Sequence, residues 1–315
     1  MSIVFGPIPS RRLGRSLGIN NIPLKVCSYS CVYCQIGLTD SMSIERKEFY
    51  SPDEIFKEVS EKVKQLQNAG EQIDYITFVP DGEPTLDINL GKEIGLLKSH
   101  GIKIAVITNS SLLWDENVSE DLMNADWVSV KIDTVDEKIW HHINRPNGKL
   151  DLQKIIDGVK NFASSFNGKL VTETMLVKGI NDSIDSLRRT AQLIKEINPE
   201  AAYILAPTRP PAEKYVEPPS EENLNKAYQI FRTLINDIEL LAYNEGTDFS
   251  YSSDAEKELL SILAVHPMRK DAVEMFLFKA ESDWDLIENL INKNVLKEVH
   301  YSDDTYFVKN LKPNS

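Results

Sequence analysis

The stretch SPDEIFKEVSEKVKQLQNAGEQIDYITFVPDGEPTL, residues 51–86, changes periodicity once, and that change sets the architecture. Its first part reads as a helix, opened by a capping box of Ser51 and Glu54 around Pro52 and stopped at Gly70. DYITFVP (74–80) then follows as a short apolar run of strand type, and it leads into the polar turn Asp81–Gly82–Glu83. The same kind of run recurs at IKIAVITNS (102–110), DWVSVKID (126–133), KLVTETMLV (169–177) and AAYILAP (201–207). Helical patterns at 89–99, 151–166, 183–197 and 220–237 separate these runs.

Apolar strands alternating with amphipathic helices predict βα units on a parallel sheet. A strand near 22–27 and another at IELLAY (238–243) bring the count to six or seven units, enough for a barrel or an open partial barrel. Chemistry in such folds gathers at the C-terminal ends of strands. The polar tips there are Asp81–Glu83, Thr108–Ser110, Lys131–Asp133 and Thr208–Arg209.

The last 65 residues change character. DAEKELLSILAVH, RKDAVEMFLFKA and SDWDLIENLINKN read as three short helices, and VLKEVHYSDDTYFVK as a hairpin turning at Ser302–Asp304. The expectation is therefore an α/β chain: a partial (β/α)6-type parallel barrel over residues 1–246, then a small winged-helix-like domain over 252–315. The boundary falls near the polar stretch NEGTDFSYSSD (244–254). Residues 251–315 hold 12 acids against eight bases, which disfavours DNA binding and favours a protein contact or a lid over the barrel.

Just ahead of the first unit, KVCSYSCVYCQIG (25–37) holds all three cysteines of the chain, Cys27, Cys31 and Cys34, spaced C-x3-C-x2-C. Iron–sulfur clusters are normally held by four thiolates, so three leave one coordination position open, as in catalytic rather than structural metal sites. The competing Cys3His zinc site lacks a nearby histidine, the closest in sequence being His100. The net charge of −13 argues against a globally basic nucleic-acid binder. Residues 1–39 nevertheless carry Arg11, Arg12, Arg15 and Lys25 and no carboxylate. Those arginines either meet an anionic ligand or salt-bridge the acidic body. No run approaches the roughly 18 apolar residues of a membrane helix, and no signal peptide is visible, so a cytoplasmic location is expected. Clustered cysteines there more often mean metal or redox chemistry than disulfides.

Cys27, Cys31, Tyr33 and Cys34, as C-x3-C-x-aromatic-C, resemble the signature of the radical SAM enzymes, and the resemblance extends over about residues 1–245. It implies one [4Fe-4S] cluster held by the three thiolates, with S-adenosylmethionine on the fourth iron. Reductive cleavage of the sulfonium would give a 5′-deoxyadenosyl radical that abstracts hydrogen from substrate. PDGEPTL (80–86) is similar to the family's Gly-Gly-Glu motif, with Asp81 in place of the first glycine. By that resemblance Asp81, Gly82 and Glu83 hold the SAM ammonium, while Thr108, Asn109 and Ser110 of ITNSSLL meet the ribose or carboxylate. Tyr33 is implied beside the cluster toward adenine. ETMLVKGIND (173–182) and LAPTRPP (205–211), with Leu205, resemble the strands that shape the adenine site and substrate face.

Lys131, Asp133 and Glu173 are candidate catalytic residues, with a buried ion pair at the strand end as the alternative for the first two. Arg145 is a weaker candidate for the SAM carboxylate, and His141–His142 reads as solvated helix surface, because adjacent helical residues do not face one ligand. FGPIPSRRLGRSLGIN (5–20) resembles the wyosine-synthesis-related Fe-S oxidoreductases, although their second-cluster cysteines are absent. A low-potential reductant, flavodoxin or ferredoxin, is implied, and the substrate is an unidentified small molecule, peptide or RNA. Two rival readings remain: a tRNA-modifying enzyme, and a non-enzymatic iron–sulfur sensor acting through the winged helix.

Overall fold

The computed structural model describes residues 3–242, 249 and 254–310, apart from the side chain of Val265. In chain order the strands begin with β1 (Val4–Ser10), β2 (Gly14–Ile19) and the two-residue β3 (Val26–Cys27) and β4 (Ser41–Met42). There follow β5 (Tyr75–Phe78), β6 (Lys103–Thr108), β7 (Trp127–Lys131), β8 (Lys169–Met175), β9 (Ala201–Leu205) and β10 (Ile238–Leu241). The helices between them are α1 (Pro52–Asn68), α2 (Leu90–Leu97), α3 (Glu116–Leu122), α4 (Glu137–Ile143), α5 (Leu152–Ser165), α6 (Ile184–Ile197) and α7 (Glu221–Arg232).

One curled sheet runs β1-β2-β5-β6-β7-β8-β9-β10. All neighbours from β2 to β10 are parallel, and β1 adds antiparallel to β2. The partial parallel barrel expected from the alternation is therefore present. Its start differs. In place of a barrel strand near 22–27 the first parallel strand is β2, and Val26–Cys27 pairs only with Ser41–Met42. Pro7 and Pro9 hide β1 from strand patterning. They are tolerated because β1 is an edge strand, where missing ladder donors cost least.

Helices cover the outer face. In α1 the Ser51 hydroxyl caps the Glu54 N–H at 3.2 Å, and Ile55, Val59 and Leu66 are fully buried against the sheet. Each such side chain contributes about 1.5–3 kcal/mol of burial. The inner face carries a second apolar group, including Leu13, Trp127, Val171 and Tyr203. Arg11 Nη2 donates to the carbonyl of Leu241 at 3.0 Å, tying the β1–β2 turn to the last strand and drawing the two edges of the curl together.

The C-terminal elements are α8 (Ala255–Val265), β11 (Met268–Arg269), α9 (Lys270–Lys279), α10 (Asp285–Asn292), β12 (Leu296–Tyr301) and β13 (Asp304–Lys309). They form three helices and a hairpin around their own core, which includes Leu259, Phe276 and Phe307. The boundary expected at 246–252 lies outside the described residues. This module rests on the barrel: Lys62 pairs with Glu258 at 2.9 Å, and Ala264 packs on Phe5. The hydroxyls of Tyr301 and Tyr306 donate to the carbonyls of Pro207 and Thr208 at 3.1 and 2.7 Å. Among the described residues no helix is long and apolar enough to cross a membrane.

Candidate metal centre

The cysteine loop lies across the mouth of the half-barrel, pinned on two sides. Toward β5, Lys25 N–H donates to the Asp81 carbonyl at 2.8 Å and Glu83 N–H to the Val26 carbonyl at 3.2 Å. Only glycine fits between them, because a Cβ at Gly82 would stand 1.9 Å from the Val26 oxygen. Toward the end of α4, Val32 N–H donates to Ile143 O at 2.9 Å and Ser30 N–H to Asn144 O at 3.0 Å. Tight turns carry the spacing itself, with Cys34 N–H on Cys31 O and Gly37 N–H on Cys34 O, both at 3.1 Å.

The thiols are half-buried and unlinked. Burial pushes Cys31 up to about 12 and raises Cys27 and Cys34 as well. Amide donors nevertheless face two of the sulfurs: Asn109 Nδ2 lies 3.5 Å from Cys27 Sγ, and Asn144 Nδ2 lies 3.5 Å from Cys31 Sγ. Among the described residues no three Cys, His, Asp or Glu side chains converge on a single-ion position.

Behind the loop, Glu83 braces two strand ends. It is 1 % exposed, and its Oε1 accepts from Thr108 Oγ1 and Thr85 Oγ1, both at 2.6 Å, while Oε2 accepts the Asn109 N–H at 2.7 Å. Burial raises its carboxyl against these hydrogen bonds. Asn109 also donates to Ser28 Oγ at 2.9 Å, and Ser28 meets Ser111 at 2.6 Å. Ser110 sits at φ +69° and accepts the Lys131 N–H at 2.8 Å. The TNS segment thus wraps against the cysteine loop, as its place at a strand end implies.

The profile of the Radical SAM superfamily matches residues 21–194. The chain belongs to that superfamily. It is 49% identical to the UPF0026 protein MJ1312 of Methanocaldococcus jannaschii, over 99% of this chain and 97% of that one. It is 32% identical to a UPF0026 protein of Helicobacter pylori strain J99, over 88% of each. Among solved structures, a radical SAM methyltransferase from Sphaerobacter thermophilus superposes with a TM-score of 0.57 at 16% identity, covering 72% of this chain and 66% of that chain, a likeness of fold alone.

Radical SAM enzymes use a [4Fe-4S] cluster and SAM, and the residues here fit both. Buried thiols give up their protons when iron supplies the opposing charge, and the two amides supply the hydrogen bonds that thiolates accept. At the departure from the Gly-Gly-Glu pattern, Asp81 is 2 % exposed, and neither of its carboxyl oxygens has a hydrogen-bond partner among the described residues. Burial pushes it up to about 7.

Deeper in the radical SAM barrel, the register of β7 and β8 sets Lys131 beside Glu173, with Nζ 3.9 Å from Oε2. Arg12 also pairs with Glu173, and Ser129 Oγ donates to it at 2.7 Å. Burial would raise Glu173, but the Arg12 and Lys131 charges and the Ser129 hydrogen bond outweigh it, and the carboxyl is held below its usual range. Lys131 Nζ also stands 5.1 Å over the Tyr33 ring. Asp133 is 4 % exposed and engaged on both oxygens, by Tyr33 Oη at 2.5 Å and Met175 N–H at 2.8 Å.

Leu205 ends β9 on the inner face, and its carbonyl accepts the Leu176 N–H at 2.8 Å. Arg145 turns to Glu213 at 2.5 Å, and His141 and His142 lie exposed on α4. Arg15 pairs with Glu71 at 2.5 Å, so the arginine group braces the body rather than standing clear of it. A cavity of about 120 Å³ opens beside Arg12, lined also by Ser16, Thr77, Ile107, Arg209 and His266. Sequence reading missed Asn144, Ser28, Gln35 and His266. Arg209 joins the last two, with Gln35 Oε1 at 2.6 Å and His266 Nε2 at 3.2 Å. The Ser28 and Gln35 positions flank the cysteines and were findable; Asn144 and His266 lie in helical surroundings with no signal of their own.

Proposed function

We propose that the chain is a one-cluster radical SAM enzyme in which Cys27, Cys31 and Cys34 hold the [4Fe-4S] cluster. The observation that carries this reading is the loop's setting: three thiols at the barrel mouth, two of them faced by carboxamide N–H donors. When bound, the cluster and SAM would supply one-electron reductive cleavage of the sulfonium and so the means of abstracting hydrogen from substrate. Asp81, Gly82 and the Glu83 brace hold the methionine end of SAM, while Thr108, Asn109 and Ser110 line its other side. Tyr33 and Leu205 bound the adenine side.

Substrate enters the cavity beside Arg12, where that guanidinium, held by Glu173, orients it, and Lys131 supports Glu173 from behind. Glu173, held as an anion by two cations, acts as a charge contact rather than a proton acceptor. An external low-potential donor such as flavodoxin or ferredoxin delivers the electron in a reducing, cytoplasmic setting. The tRNA-contact reading loses Arg12, which turns inward to Glu173, while Arg11 and Arg15 stay at the surface, bonded to Leu241 O and Glu71. The sensor reading is disfavoured by the tyrosines that dock the C-terminal module on the barrel.

Calorimetric titration of SAM into anaerobically reconstituted protein tests the reading. Binding at one site per chain is expected, weakened about tenfold or more in Asn109→Ala by the loss of a buried polar contact. A loaded cluster with no SAM binding would reject it.

A further inference from the structure

Asn144 caps α4, and the hydrogen bond from Ser30 to its carbonyl fixes it against the cysteine loop. Its buried carboxamide Nδ2 faces three acceptors: Asp133 Oδ2 at 2.7 Å, Tyr33 Oη at 3.3 Å and Cys31 Sγ at 3.5 Å. The carboxylate oxygen decides the orientation, because only the NH2 end of an amide can donate to it. Asp133 is itself held, by Tyr33 and by the Met175 N–H, and its carbonyl accepts Asn181 Nδ2 at 2.9 Å. Asn181 is anchored in turn, with Oδ1 accepting the Val177 N–H at 2.8 Å. Swinging the amide away from the sulfur would give up its bond to the buried Asp133 carboxylate, whose remaining partners are Tyr33 Oη and the Met175 N–H, so Asp133 favours the orientation in which Nδ2 faces Cys31.

Hydrogen bonds to ligand sulfurs are one of the levers that set an iron–sulfur potential. Reduction adds negative charge to the cluster, so a donor on a thiolate is strengthened in the reduced form and favours it. We propose that Asn144, held by Asp133, is a positioning residue that raises the reduction potential of the cluster through Cys31. The inference rests on the cluster reading above. It also gives Asp133 a task, orienting a donor, that differs from proton transfer. Tyr33 completes the frame and couples the loop's aromatic position to the same carboxylate.

An anaerobic redox titration of the reconstituted full-length protein, followed by the electron paramagnetic resonance of the reduced cluster, tests this directly. In Asn144→Ala the ratio of reduced to oxidised cluster at a fixed potential should fall roughly threefold to tenfold, tenfold being about 59 mV for one electron. Asn144→Asp, which replaces the donor with an acceptor of similar volume, should move further the same way. An unchanged potential in Asn144→Ala with full iron occupancy overturns the inference and leaves the cluster reading standing. Should that variant not hold iron, resonance Raman on the unmutated protein decides. The iron–sulfur stretches should shift between H2O and D2O, and the absence of a shift overturns the proposal. Failure of the unmutated protein to form a cluster overturns both readings together.

Discussion

Glu83 Oε1 accepts the hydroxyl proton of Thr108 at 2.6 Å, so one buried carboxylate pins the turn after β5 to the end of β6. Its other oxygen takes the Asn109 N–H, and every partner is therefore a donor. Glu83→Gln sets an amide N–H against one of these donors whichever way it turns. The variant should be less stable by about 2 kcal/mol, read as a lower urea midpoint at unchanged slope. An unshifted midpoint would mean that the brace carries no energy.

Asp81 is expected to make stability fall as pH rises. Its carboxyl is pushed up to about 7 by burial, against about 3.9 in an unfolded chain. Below both values the group is neutral in either state and costs nothing. Between them the folded chain retains a proton that the unfolded chain has lost, so the penalty grows from about pH 4 and is complete above about pH 7. The ceiling is about 4 kcal/mol. Asp81→Asn should therefore exceed the unmutated, cluster-free chain in stability at pH 8 and match it at pH 4. Parallel stability curves across that range would reject the assignment.

Arg12 and Glu173 form a buried pair with Lys131 at its side. Arg12→Met strands much of the Glu173 charge and should cost about 3 kcal/mol at pH 7. Adding Glu173→Gln should return part of that loss. Chemical denaturation of the two single variants and the double variant gives the coupling, and strict additivity would show the pair to be energetically silent.

The C-terminal module should hold the loop after β9 through two tyrosines. Tyr306→Phe removes the hydrogen bond to Thr208 O at about 1 kcal/mol, and it should speed amide hydrogen exchange at Thr208 and Arg209, the two residues of this proline-flanked stretch that carry an amide hydrogen. Unaltered exchange there would show that the module merely rests on the barrel.

Much of this was legible in the sequence, because each strand of the parallel sheet is an apolar run closed by a polar tip. Asp81–Glu83, Thr108–Ser110 and Lys131–Asp133 lie at strand ends where the alternation put them. β1 was hidden by its prolines, and α3 and α4, seven residues each, are too short to show a period. Asn144 was not legible because its importance depends on Asp133 and Cys31, which only the folded chain brings to it. The arginines were readable as a cluster, but only the structure shows that Arg12 turns inward to Glu173 while Arg15 turns to Glu71.

The most direct measurement is anaerobic: protein reconstituted with iron and sulfide, SAM and dithionite added, and 5′-deoxyadenosine quantified beside Cys31→Ala. The expected result is 5′-deoxyadenosine from the intact protein and none from the variant. Intact SAM in the presence of a fully loaded cluster, or equal product from both proteins, would contradict the assignment of these three cysteines to radical chemistry.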